Sequence, residues 1–146
     1  MSKPIYILNG PNLNLLGTRE PEIYGTSTLS DIETGLLRLS ANNALVFRQT
    51  NHEGVLIDWV QESAEKGAVL ILNPGAFTHT SIALHDALKA CAIPIIELHL
   101  SNPEAREAFR HVNFVAPIAQ GRIAGFGAYG YELALKAAQR LILQEG

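Results

Sequence analysis

Residues 68–75 read AVLILNPG: an apolar run with no polar alternation, then asparagine, proline and glycine. A strand with one wet face alternates apolar and polar residues, so an unbroken run of this length suits a parallel strand buried on both faces. The stop is abrupt because Pro and Gly punctuate the chain. The same construction recurs on either side. Ile5–Leu8 runs into Asn9-Gly10-Pro11-Asn12, and Ile93–Leu98 runs into His99-Leu100-Ser101-Asn102. Ala44–Phe47 is a further run, and Asn113–Ala116 (NFVA) is a weaker one taken as the last strand.

Between these runs the period changes to that of helices. Thr28 and Asp31 form a capping box ahead of Ile32, Leu36, Leu37 and Leu39. Val55, Leu56, Trp59 and Val60 make a helical stripe that Gly67 ends. Thr80–Ala90 carries Ile82, Leu84, Ala87 and Leu88; Asn102-Pro103 opens a short helix through Phe109; a last helix starts at Gly127 or Ala128 and reaches Gln144. Strand and helix alternate, with five strands expected. The pattern predicts an α/β fold: a flavodoxin-like, doubly wound parallel sheet forming a single domain over residues 1–146.

The gross numbers agree with one packed domain. The chain has 146 residues, is 47% hydrophobic and 17% charged, and carries a net charge of −3. There is no basic stripe for a nucleic acid, no signal pattern, and no run near the roughly 18 apolar residues of a membrane span. A cytoplasmic protein is expected. Its low charge for its apolar content suggests that other subunits cover some surface. The lone Cys91 reads as a small core residue.

In open parallel sheets, ligands bind beyond the carboxyl ends of the strands. Those ends deliver Asn9 and Asn12, then Asn73 and His79, then His99 and Ser101, and the long loop after the first strand adds Arg19 and Tyr24. Amides and imidazoles both donate and accept, which suits a hydroxyl-rich ligand with one anionic group. Carboxylates are nearly absent there, so Mg²⁺ and Ca²⁺ are not expected, and His79 with His85 completes no zinc set. No phosphate loop and no GxSxG elbow is present. The sequence Gly125-Phe-Gly127-Ala-Tyr-Gly130 matches GxGxxG but precedes the last helix, so it reads as close backbone packing rather than dinucleotide binding.

Acid–base chemistry is suggested twice. Glu97 precedes His99 by two residues on the same strand face, where a carboxylate sets the imidazole's tautomer; a strand-end histidine with satisfied hydrogen bonds is the alternative. A tyrosine with a pKa of about 10 is a poor base at neutral pH unless a cation favours its phenolate. Arg19 and Tyr24 share one loop that also has the form of a lid. A non-catalytic binding module of the same fold would need the amides, Ser101 and Arg110 but not this pair; a flavin-based electron carrier would need a hydroxyl-rich phosphate loop where Pro11-Asn-Leu-Asn14 stands.

Three long segments then carry a family resemblance: NGPNLNLLGTREPEIYG from Asn9, NPGAFTHTSIALHDAL from Asn73 and ELHLSNPEAREAFR from Glu97, together with the GFGAYGYELAL ending. In this order they resemble the type II 3-dehydroquinate dehydratases over essentially the whole chain. The resemblance implies a flavodoxin-like fold and trimers assembled into a dodecamer. It implies anti elimination of water from 3-dehydroquinate through an enolate, with no metal or organic cofactor, in aromatic biosynthesis or quinate catabolism. By matching positions, it implies that Tyr24 is the base, Arg19 the cation beside it, Asn12 the amide on the enolate oxygen and His99 the general acid. It likewise implies that Leu100 and Ser101 hold the carboxylate; that Asn73, His79 and Arg110 hold ring hydroxyls; that Asp86 reaches a neighbouring subunit's site; and that Glu97 supports the acid. Phe77, Gly75 and His85 depart from the commonest family pattern without touching the catalytic set.

Overall fold

The structure, a computed structural model, describes residues 2–18 and 20–145. Arg19 therefore lies outside the described residues. Among the described residues the sheet has five parallel strands: β1 (Ile5–Asn9), β2 (Leu45–Gln49), β3 (Val69–Asn73), β4 (Ile95–His99) and β5 (Gly121–Ala124), in the order β2-β1-β3-β4-β5. This is the flavodoxin-like order, whose direction of winding reverses between β1 and β3.

Helices cover both faces, which is why the strand runs do not alternate. Ile5, Ile7, Val69, Ile71, Ile96 and Leu98 pack with α2 (Leu29–Leu39) and α6 (Tyr129–Glu145). Tyr6, Leu8, Leu70, Leu72 and Ile95 point the other way, to α3 (Glu53–Lys66) and α5 (Ile82–Lys89). Burying one such Leu or Ile contributes about 1.5–3 kcal/mol. The α2 start is the expected capping box, with Thr28 and Asp31 exchanging bonds of 3.1 Å. Ile32 and Leu36 are buried by that helix, whereas Leu37 and Leu39 stay exposed on its far side. Trp59 is half-buried against the second cluster, and so is Cys91, just past α5, whose thiol pKa burial pushes up.

Two expected elements are corrected and a third is bounded more closely. Asn113–Ala116 is not a strand: the Asn113 carbonyl oxygen Oδ1 accepts the N–H groups of Val115 and Ala116, each at 2.8 Å, and folds the segment into a turn. The last strand is Gly121–Ala124, an edge strand too exposed to read as an apolar run. The helix expected over Thr80–Ala90 is α5, and a separate short helix, α4 (Phe77–Thr80), precedes it because Ser81 adopts an extended conformation and caps Leu84 N–H at 2.8 Å. The helix expected from Asn102 through Phe109 divides into two 3₁₀ turns, Pro103–Ala105 and Ala108–His111, with Arg106 extended between them.

Two glycine positions matter. Gly10 donates to the Asn73 carbonyl at 2.8 Å, and a Cβ there would lie 2.5 Å from Pro74 O, so only glycine lets the β1 and β3 ends meet. In the GxGxxG segment, Gly125 and Gly127 hold φ of 95° and 61°, and a Cβ on Gly130 would lie 3.0 Å from Leu98 Cδ1. The motif serves backbone packing of α6 on β4.

Candidate active site

The strand ends open onto one pocket at the carboxyl edge, lined by Asn12, Tyr24, Asn73, His79, His99, Leu100, Ser101 and Arg110. Each was singled out from the sequence, and each arrives by a different local device. Asn12 sits at φ 68°, a left-handed conformation that asparagine tolerates better than most residues. Its N–H donates to Asn51 Oδ1 at 2.9 Å, and its side chain makes no cap to the turn that follows.

Asn73 is fixed from behind. Its Nδ2 donates to Tyr131 Oη at 3.1 Å, and Tyr131 Oη donates to Asn9 Oδ1 at 2.6 Å. Asn9 in turn donates to the Arg48 carbonyl at 3.0 Å, and Gly75 N–H donates to Asn73 Oδ1 at 3.3 Å. Tyr131 is wholly buried, which pushes its phenol pKa up and keeps it a neutral donor.

His99 is 6% exposed and Glu97 is 0% exposed. His99 Nε2 and Glu97 Oε2 are 2.5 Å apart, so the carboxylate accepts Nε2–H and Nδ1 remains as the other functional nitrogen. Asn113 Nδ2 donates to the same carboxylate oxygen at 2.7 Å. Burial pushes the Glu97 pKa up, but His99, Asn113 and Arg122 outweigh it and hold the carboxyl below its ordinary value.

His79 Nδ1 lies 2.7 Å from the Val112 carbonyl and donates to it, which makes Nε2 the acceptor of the neutral ring. Burial pushes its pKa down, against a smaller upward pull from that carbonyl, and so favours the neutral ring. Arg110 Nε donates to Glu107 Oε1 at 2.8 Å. The Arg110 bond is the main reason the exposed Glu107 carboxyl is lowered to about 2. Such exposed pairs are held weakly, so an incoming anion or hydroxyl can compete for the guanidinium.

Tyr24 closes the short helix α1 (Pro21–Tyr24), whose flanking Glu20 and Gly25 both have positive φ. Arg106, which the sequence reading missed, reaches it: Nη1 donates to Tyr24 Oη at 2.9 Å and to Ser101 Oγ at 3.2 Å, with the guanidinium 5.4 Å from the ring centroid. The break between the two 3₁₀ turns is what turns Arg106 inward, and nothing in the residue pattern marks that break. Asp86, exposed on α5, does not line the pocket of its own chain. Among the described residues, no group of three or more His, Cys, Asp or Glu side chains is placed to hold a metal ion, and no helix is long and apolar enough to cross a membrane.

Comparison with known proteins bears on the same residues. The family model described as dehydroquinase class II matches residues 3–139. A protein of Hyphomonas neptunium named 3-dehydroquinate dehydratase is 70% identical over 97% of this chain and 96% of its own length. One of the same name from Caulobacter vibrioides is 58% identical over 97% of this chain and 99% of its own. Among solved structures, the type II dehydroquinase of Propionibacterium acnes superposes with a TM-score of 0.90 at 44% identity, covering 95% of this chain and 98% of that one. The type II dehydroquinase of Butyrivibrio crossotus gives 0.91 at 39% identity, over 94% and 98%. The match runs from β1 into α6 and takes in every strand end that lines the pocket. This chain belongs to the class II dehydroquinase family.

Proposed function

We propose that this chain dehydrates 3-dehydroquinate to 3-dehydroshikimate by anti elimination through an enolate. The observation that carries the reading is the pairing, in one pocket, of a phenol held by a guanidinium at 2.9 Å with an imidazole backed by a buried carboxylate. The proton at C2, alpha to the ketone, is too weakly acidic to leave unaided, so a base and a group that stabilises the enolate must act together. Tyr24, as phenolate, takes that proton. A cation hydrogen-bonded to the phenol oxygen stabilises its negative charge, and Arg106 supplies such a cation; Arg19 is assigned a second. The Asn12 amide faces the developing enolate oxygen. His99 then protonates the departing C1 hydroxyl from Nδ1, with Glu97 holding the ring by Nε2.

Binding follows the same division. The substrate carboxylate is assigned to Leu100 N–H, Ser101 N–H and the Ser101 hydroxyl, and the ring hydroxyls to Asn73, His79 and Arg110. We assign Asp86 to a neighbouring subunit's pocket and the active assembly to trimers, four of which build a dodecamer. Exposed Ile82, on the same helix as Asp86, and exposed Phe109 and Val112 beside the pocket support a covered surface there. A cytoplasmic location goes with that assignment.

The test is absorbance at the enone band of dehydroshikimate after adding dehydroquinate. Wild type is expected to convert it, and Tyr24→Phe to lose at least about three orders of magnitude in kcat, roughly 4 kcal/mol of barrier. A fully active phenylalanine variant would overturn the base assignment.

A further inference from the structure

Glu97 is a wholly buried carboxylate within the sheet. It stands in register with Leu72 on the side that Tyr6, Leu8, Leu70 and Ile95 line. Its Oε2 takes bonds from both His99 and Asn113. Its Oε1 is buried without a hydrogen bond among the described residues, and the charge nearest to it is Arg122 Nε at 3.3 Å, an ion pair by distance though not an aligned bond. Arg122 lies directly opposite Glu97 across the β4–β5 ladder. Its other nitrogens grip Glu104, in the turn after Ser101, at 2.6 and 3.3 Å.

We propose that Arg122 is a positioning residue for the dehydration, acting through Glu97: it shares the buried carboxylate with His99 and so limits how tightly Glu97 holds the imidazole's proton. The inference rests on the functional reading above. With Arg122 in place, the deprotonated His99–Glu97 pair and the guanidinium sum to no net charge. Without it, deprotonation leaves an uncompensated buried anion. The pair then keeps its proton to higher pH, whichever of the two groups carries it. An acid that holds its proton too tightly delivers it slowly to a leaving hydroxyl. Removing the Glu97 charge has the opposite sign, because an imidazolium would then face a cation alone.

The other groups facing the pair are Tyr24, His79, Arg106 and Arg110 from the pocket and Glu104 from the turn. All but Glu104 keep their charges and contacts when Arg122 is changed. Glu104→Gln serves as the control, since it leaves Arg122 on Glu97.

The experiment is a ring-nitrogen NMR titration of His99 in ligand-free protein, set beside the pH profile of kcat for dehydroquinate. In Arg122→Met the NMR midpoint and the basic limb of kcat are both expected to rise by about one pH unit. Arg122→Lys should restore most of the shift, Glu104→Gln should leave the midpoint near wild type, and Glu97→Gln should lower it. Arg122 is partly exposed on an edge strand, so its variants need not disturb the core. A midpoint that is unmoved or falls in Arg122→Met overturns the charge sharing. A midpoint that rises while the kcat limb stays put overturns the positioning role. Failure of the functional reading is separate: it is wild type without dehydroquinate turnover, whereas the titration needs no substrate.

Discussion

Tyr24 and His99 line one pocket and are held by opposite means. His99 ends a strand buried along its whole length, and its partner Glu97 is fixed by side chains from β5 and from the turn after the second 3₁₀ segment. Tyr24 ends a four-residue helix with positive φ on both flanks and no fully buried residue. Its bond to Arg106 comes from another irregular segment, between two short turns. The acid side is thus part of the sheet, and the base side is laid across it. Mutations on the two sides should therefore separate activity from stability.

The largest separation is expected between Tyr24→Phe and His99→Ala. Both should lose activity, the histidine variant by about 10²–10⁴-fold as for a general acid. Only His99→Ala should also lower Tm. It strips one partner from a wholly buried carboxylate, which costs about 1–3 kcal/mol, whereas Tyr24→Phe keeps the ring that packs on the core and removes only a part-buried hydroxyl. Thermal melts beside the enone assay check this. Equal melting temperatures for the two variants would dissolve the contrast between the sides.

Next in size is Arg106→Met. It removes a charge-assisted hydrogen bond to Tyr24 Oη together with one to Ser101 Oγ. Bonds of that kind contribute about 1.5–3 kcal/mol, so kcat/KM for dehydroquinate should fall by roughly 10–100-fold while Tm stays near wild type. If Tm falls instead, Arg106 belongs with the structural side and the base depends on the fold.

The legibility of the sequence follows the same divide. Elements buried on both faces announced themselves: the runs at Ile5–Leu8 and Ala68–Leu72, the Asn73 and His99 strand ends, and the Glu97–His99 spacing all stand where the residue pattern placed them. So did the Thr28–Asp31 box, whose chemistry is local. What escaped depended on tertiary context. The β5 edge strand needs no apolar run, so the residue pattern points to NFVA in its place and gives no sign that Arg122 stands opposite Glu97. Arg106 reads as one more charge in a helix until the helix breaks around it. Asp86 gives no sign within one chain of what it would touch in another.

Tyr131→Phe joins the two regions at the smallest scale. Tyr131 comes from α6, the last helix, yet its hydroxyl bridges the amides of Asn9 and Asn73 at the point where the sheet reverses. Nothing apolar is lost on going to phenylalanine, so the change isolates one oxygen. Asn9 Oδ1 then loses its donor and Asn73 Nδ2 its acceptor in a site that solvent barely reaches, Asn9 being 0% and Asn73 3% exposed. The expected cost is about 1–3 kcal/mol of stability, the penalty for buried polar groups left unpaired. Because Asn73 also faces the pocket, its amide would be held only by the 3.3 Å bond from Gly75 N–H, and KM for dehydroquinate should rise while kcat changes little: ring positioning suffers and proton transfer does not. Urea melts and steady-state kinetics on the same preparation decide it. A variant with wild-type stability would mean that the amides find other partners, and one with reduced kcat at unchanged KM would put this bridge on the chemical step rather than on binding.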